Sequence, residues 1–551
     1  MHRISRRDFL RVSTLAGAAT LAAACGGTPT SPAPAEPTAQ PVAAPAAQPT
    51  AAPAAPAAPV EVPAKFNEAP MLAELVAKGE LPPVDERLPE NPAVIPVIEM
   101  VGKYGGNIRR GYKGMSDYTG QTYFTWNSLT RFNYDSTLAP MLAESWEMSD
   151  DAKVWTWHLR KGTKWSDGQP LTTKDTQWWW QNHVHNAEIS PSGDGVYKTG
   201  AGDDRKECEL ETPDDFTIVM KFAHPNPLFG LQVIWRSFPM LPGHYLEQFH
   251  ADFADKAVLD KMVADKGLNT WVDLYNNQRQ ENLNHEVPKL DTWVPTNEAG
   301  AEIHIMVRNP YWWAVDPEGN QLPYVDSITH RLFETLDVFN MWIVNGEIDF
   351  QSRHVDLANY TLFKEKQEQG GYNITISVGA SHVAVQINHT SKDPVLRKFF
   401  QNRDVRFALN YAVDREEMNE LVFDGLLTPK QYSPLKKSDL WYEEQAFAHL
   451  EFDPDKSNEL LDAAGYSEKD ADGFRVDPET KETISFEMEG LEPSGSMYED
   501  AMIMVADYWG KVGVKCTYKY SERSLYEEHQ QANDMNVGTW SADRADFPLI
   551  D

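Results

Sequence analysis

Basic residues are scarce. The 551-residue chain has 50 Lys and Arg against 82 Asp and Glu, a formal charge of -32, which would repel a nucleic-acid backbone and argues against that partner. Cysteine is scarcer still, with three residues, too few for a disulfide framework. No apolar run reaches 18 residues, so a conventional spanning helix is not expected. The Gly-x-Ser-x-Gly elbow, His-Glu-x-x-His, the Walker loop, Gly-x-Gly-x-x-Gly and Cys-x-x-Cys are also missing. The sequence therefore calls for no cofactor and no metal. A pair of catalytic carboxylates brought together only in space would escape such a search, which keeps a secreted carbohydrate-active hydrolase open as an alternative of a different class.

Apolar residues make up 41% of the chain and 17 tryptophans are present, so most of it is globular, at about three to four domain-sized units. Residues 1–25 are an exception. Ser5-Arg6-Arg7-Asp8-Phe9-Leu10-Arg11 precedes a small-residue apolar stretch from Val12 to Ala24, the layout of a bacterial twin-arginine export signal. Leu21-Ala22-Ala23-Ala24-Cys25-Gly26 resembles a lipobox, which makes Cys25 the candidate lipidation site. Ala22 stands where that pattern prefers Leu, and ordinary cleavage near Ala24 is the alternative. Residues 26–64 form a tether: of the 37 residues from 28 to 64, 25 are Pro or Ala, and Glu36 and Glu61 are the charges. In polyproline II, at ~3.1 Å per residue, it reaches about 115 Å. Cys208 and Cys516 are expected to be buried and free.

Residues 65–103 are expected to be a lead-in, a helix near Met71 to Lys78 followed by loop, with order starting near Tyr104. Trp155, Trp157 and Leu159 alternate with Val154, Thr156 and His158, predicting a strand. Asp-Gly and Pro at 167–170 mark a turn, after which Thr172 or Thr173 caps a helix carrying Trp178, Trp179 and Trp180. These point about 100° apart, so at least two serve the core. Asp404 is the expected cap for a helix with Val405, Ala408, Leu409 and Ala412 inward, and Asp414 opens the next. Asp453-Pro454 opens another that Gly465 closes. Strands at Ile484–Met488, Val514–Tyr520 and Met535–Trp540, separated by helices near 498–512 and 524–531, predict a crossover unit with parallel strands. Ligands in such sheets bind beyond the carboxyl ends of the strands, where Trp540 and Asp543 fall. His183-x-His185 does not share a helix face, and Asp470-x-Asp472-Gly473 lacks the remaining ligands of a calcium loop.

In order along the chain come Leu142-Ala143-Glu144-Ser145-Trp146, Leu159-Arg160-Lys161-Gly162, Trp165-Ser166-Asp167-Gly168, Arg308-Asn309-Pro310-Tyr311-Trp312, Gly346-Glu347-Ile348-Asp349 and Asp404-Val405-Arg406-Phe407-Ala408-Leu409. Together these resemble the signature of family 5 extracellular solute-binding proteins of bacterial ABC importers. The resemblance implies an α/β, periplasmic-binding-protein-like type II fold with mixed sheets flanked by helices, three-lobed with a discontinuous first lobe. The expected boundaries are 104–135 for the first part of lobe I, 136–237 for lobe II, 238–380 for the second part of lobe I and 381–551 for lobe III. Lobe III is expected to be truncated before a final return to lobe I. Trp540-Ser541-Ala542-Asp543 resembles the family's Trp-x-Ala-Asp sequence, in which the aspartate holds a peptide ammonium. Asp543, Trp540, Ala542 and the neighbouring Arg544 are therefore the candidate ligand-binding residues. The implied role is capture of oligopeptides outside the cytoplasmic membrane for delivery to an ABC permease by a lipid-anchored monomer, with an oligosaccharide-binding member of the same family as the alternative.

Overall fold

The computed structural model describes residues 62–540 apart from 116, 118–126, 133–136, 236–238, 282–283, 377–383, 432–440 and 492–495. The chain divides into residues 1–55 and 56–551, and every described residue falls in the second part. Cys25 lies outside the described residues.

Three four-stranded sheets organise the molecule. In chain order their strands are β1 (Asn107–Tyr112), β2 (Ala143–Met148), β3 (Val154–Leu159), β4 (Glu209–Asp214), β5 (Thr217–Lys221), β6 (Trp293–Pro295), β7 (Ile303–Arg308), β8 (Ser327–Leu332), β9 (Ala384–Ile387), β10 (Ser485–Gly490), β11 (Lys515–Tyr520) and β12 (Val537–Trp540). The first sheet has the order β6-β7-β8-β1, and β1 runs parallel to β8, with Asn107 opposite Ser327 and Tyr112 opposite Leu332. The second, β2-β3-β5-β4, is antiparallel throughout. In the third, β9-β12-β10-β11, the strand β10 is parallel to both β11 and β12. This is the mixed, helix-flanked α/β fold implied by the signature.

Local sequence explains the elements. Trp155, Trp157 and Leu159 of β3 are buried on one face, and Trp155 stacks on Trp157 at 5.6 Å. Thr172 caps the helix Thr173–Trp179, and Asp175 accepts the Thr172 amide at 3.0 Å, completing a capping box. A π-turn, Trp180–Val184, follows. Trp179 and Trp180 are buried, and Trp178 is half-buried against His250 and Phe253. Seven tryptophans sit in a single core cluster, so tryptophan abundance says little about the ligand. In the third sheet's layer the helix Pro454–Ala463 starts on its Asp453 cap, and the helix Met497–Lys511 buries Ala501, Met502, Val505, Tyr508 and Trp509.

Two expectations are corrected. The helix Arg403–Tyr411 is capped by Asn402, which accepts the Asp404 amide at 2.9 Å, rather than by Asp404. The preceding helix Pro394–Gln401 ends on the same Asn402, so one residue closes one helix and opens the next. Order also begins well before Tyr104. The helix Pro70–Ala77 buries Leu72, and Ala93–Val94 pair with Ala314–Val315. The fully buried Arg87 donates to Glu68, to the Pro310 carbonyl and, at 2.8 Å, to Gln321. The helix expected near Met71 to Lys78 is present; the Pro-rich residues after it, expected as loop, are ordered by Pro310, Ala314, Val315 and Gln321, more than 200 residues away.

Among the described residues no helix is long and apolar enough to cross a membrane.

Candidate functional site

Parallel strands align their carboxyl ends, and two such ends approach one another here. In the first sheet β1 and β8 finish at Tyr112 and Leu332. In the third sheet β10, β11 and β12 finish at Gly490, Tyr520 and Trp540. Lys113, the residue after β1, places its ammonium 5.9 Å from the centroid of the Tyr520 ring, the last residue of β11. The space beyond these strand ends is the ligand position expected of open α/β sheets.

On the first-sheet side, one carboxylate fixes the loop that carries Lys113. Asp117 is buried and accepts the Lys113 amide at 2.9 Å, the His354 Nε2 at 2.8 Å and the Arg353 Nε. Burial alone would raise its pKa. The hydrogen bond and charge of His354, with those of Arg353, outweigh burial and hold it down at about 2. His354 packs edge-on against Phe333 just beyond β8. Nearby, Asp349 of the Gly-Glu-Ile-Asp motif accepts from Arg109 of β1 at 2.7 and 2.9 Å, tying this segment to the first sheet.

On the third-sheet side, buried Glu489 accepts from His529 Nδ1 at 2.9 Å and from the Ser521 hydroxyl. The backbone here is close-packed: a Cβ on Gly490 would lie 2.7 Å from the Tyr518 ring and would also collide with the Thr539 hydroxyl. Trp540 stands at the end of β12, where the pattern put it, opposite Ala384. Its ring is half-buried, 5.5 Å from Tyr526 and 5.2 Å from the Arg523 guanidinium. Much of its surface is thus committed to the protein. Ala542, Asp543 and Arg544 lie outside the described residues.

The histidine pair diverges: His183 Nδ1 meets the Tyr275 hydroxyl at 3.1 Å, and His185 Nε2 meets Glu207 at 2.7 Å. Burial pushes His183 down to about 4. Asp470 receives the Asp472 and Phe474 amides and the Thr483 hydroxyl, a polar turn. Among the described residues no group of three or more His, Cys, Asp or Glu is placed to hold a metal ion. Cys208 is buried and Cys516 half-buried, and both are free.

Sequence reasoning missed Lys113, Asp117, Arg353 and His354. Arg353 and His354, the side-chain partners of Asp117, are more than 230 residues distant, and no local pattern joins them. Glu489 and His529 could have been suspected, because both sit on elements the periodicity identified.

The family description "Bacterial extracellular solute-binding proteins, family 5 Middle" matches residues 137–548. The chain is similar to the periplasmic alpha-galactoside-binding protein of Rhizobium meliloti (strain 1021), 27% identical over 446 residues, which cover 74% of this chain and 61% of that protein. Among solved structures, it is similar to an oligopeptide-binding protein OppA, 37% identical with a TM-score of 0.60, covering 88% of this chain and 76% of the other. It also shares its fold with MelB of Agrobacterium fabrum C58 in complex with stachyose, 21% identical with a TM-score of 0.70, covering 88% and 74%.

Proposed function

The chain belongs to the family 5 bacterial extracellular solute-binding proteins, and from that premise we propose that it captures an oligopeptide between its first and third lobes and delivers it to an ABC permease. The observation that carries this reading is the approach of the two sets of strand ends, with Lys113 5.9 Å from the Tyr520 ring. Ligand held there favours the closed arrangement, and the permease recognises that state, so the mechanism is a shift of population. The family consists of binding proteins rather than enzymes, and the hydrolase alternative falls with that membership.

Peptide is the first choice of cargo because of the 37% identity to an oligopeptide-binding protein and the Trp540-Ser541-Ala542-Asp543 sequence. In this reading Asp543 makes a charge-assisted hydrogen bond to the peptide ammonium, strengthened when closure removes water. Trp540 and Ala542 line the same wall, and Arg544 tunes the charge. The second reading, an oligosaccharide, is favoured by similarity to the alpha-galactoside-binding protein and to the stachyose complex.

Mass spectrometry of ligand co-purified with the exported protein tests the choice, and sugars without peptides would overturn the first reading. Asp543→Ala should weaken an unblocked peptide more than its N-acetylated form, whereas equal loss rejects the ammonium role. The proposed setting is the outer face of the cytoplasmic membrane, with the protein a monomer exported by a twin-arginine signal and anchored by lipid on Cys25. Loss of palmitate labelling in Cys25→Ser checks the anchor.

A further inference from the structure

We propose that Lys113 is a specificity-determining residue, whose ammonium selects solutes that carry a carboxylate. The inference rests on the reading that ligand lies beyond the facing strand ends, and it adds which chemical group the solute presents there.

Carboxylates of the protein claim the other cations around these strand ends. Arg353 and His354 serve Asp117, Lys519 meets Glu487 at 3.3 Å, and Arg523 meets Glu527 at 2.8 Å. Lys113 differs. Among the described residues no carboxylate pairs with its ammonium, which instead faces the exposed Tyr520 ring at 5.9 Å. Its main chain is nevertheless fixed, because the buried Asp117 accepts the Lys113 amide at 2.9 Å. A held backbone with a half-buried, uncommitted side chain delivers charge to one place without neutralising it.

The ammonium is one compact point charge with rotatable donors, which matches a monoanionic carboxylate, whereas phosphate recognition draws on Arg forks or several donors at once. The rest of the chain acts the other way. At a formal charge of -32 its field repels anions, so selecting an acid needs a local cation. The sheet sets the distance scale. β11 and β12 flank β10, and at ~4.8 Å per strand their ends stand about 10 Å apart. A solute reaching from Tyr520 to Trp540 therefore has the length of about three extended residues.

The test is isothermal titration of the full chain with two pairs of probes, each pair differing in one carboxylate: trialanine against trialanine amide, and melibionate against melibiose. In whichever pair binds, the acid should bind more tightly by about tenfold or more, the scale of a charge-assisted hydrogen bond. Lys113→Gln should cut that preference to below about twofold, and Lys113→Arg should keep it above about threefold, since both retain the backbone amide that Asp117 holds. Acid preference in the peptide pair assigns the carboxylate to a peptide terminus, and in the sugar pair to an acidic sugar. Equal affinity within the binding pair, or a preference that survives Lys113→Gln, overturns the inference and leaves the inter-lobe reading standing. Binding of none of the four probes overturns both.

Discussion

Replacing Asp117 by Asn removes one charge from the post that holds Lys113 beside Tyr520 of the third sheet. The carboxylate accepts from Lys113, Arg353 and His354, and its pKa is held at about 2 against the usual 3.8. At ~1.4 kcal/mol per pH unit this displacement is worth about 2 kcal/mol of folding stability. The folded value lies below the unfolded one, so the contribution is complete above about pH 4 and is lost as the pH falls through about 2, with roughly half left at pH 3. Urea unfolding followed by tryptophan fluorescence should therefore show Asp117→Asn weaker than the parent by about 2 kcal/mol at pH 7 and by about 1 kcal/mol at pH 3. The variant should also bind the cargo more weakly, because the amide of Lys113 loses its charged acceptor. An equal gap at both pH values would refute the reasoning, since it would assign the loss to shape rather than charge.

Arg87→Ala leaves Glu68 without the partner buried beside it and should cost about 3–5 kcal/mol in the same assay. A loss under 1 kcal/mol would show that the lead-in contributes little to the fold. Gly490→Ala drives a methyl to within 2.7 Å of the Tyr518 ring and should cost about 1–3 kcal/mol by overpacking, with a lowered melting temperature as the readout. Burial pushes the Cys208 and Cys516 thiols up to about 12, so almost no thiolate exists at pH 8. Peptide mapping after iodoacetamide treatment should find both unmodified in the folded protein and both modified in urea.

Where one short window contains the whole cause, the sequence is enough. The alternation of Trp155, Trp157 and Leu159 specifies β3, Thr172 with Asp175 specifies a helix start, and Asp453-Pro454 specifies another. Cooperation between windows is what hides the rest. Asn402 serves two helices at once, so the more acidic Asp404 drew the cap assignment. The lead-in from residue 65 is ordered by Arg87 reaching Pro310 and Gln321, and no property of residues 65–103 announces those partners. The site divides in the same way. Trp540 was legible because it ends a strand, whereas Asp117, Arg353 and His354 form a unit only after the first sheet has assembled.

That assembly has a timetable. β1 sits at the edge of its sheet with β8 as its neighbour, and 220 residues of chain separate their last members, Tyr112 and Leu332. At ~5–20 residues per second of synthesis, β1 waits about 11 to 44 s for the strand that completes its hydrogen bonds. About half-way through that interval, once Lys221 has been made, the second sheet, whose four strands all lie between Ala143 and Lys221, has every partner it needs. The second sheet is thus placed to form first, as an island, while Asn107–Tyr112 stays an unpaired edge, open to any chaperone or stray strand that reaches it before Leu332 does.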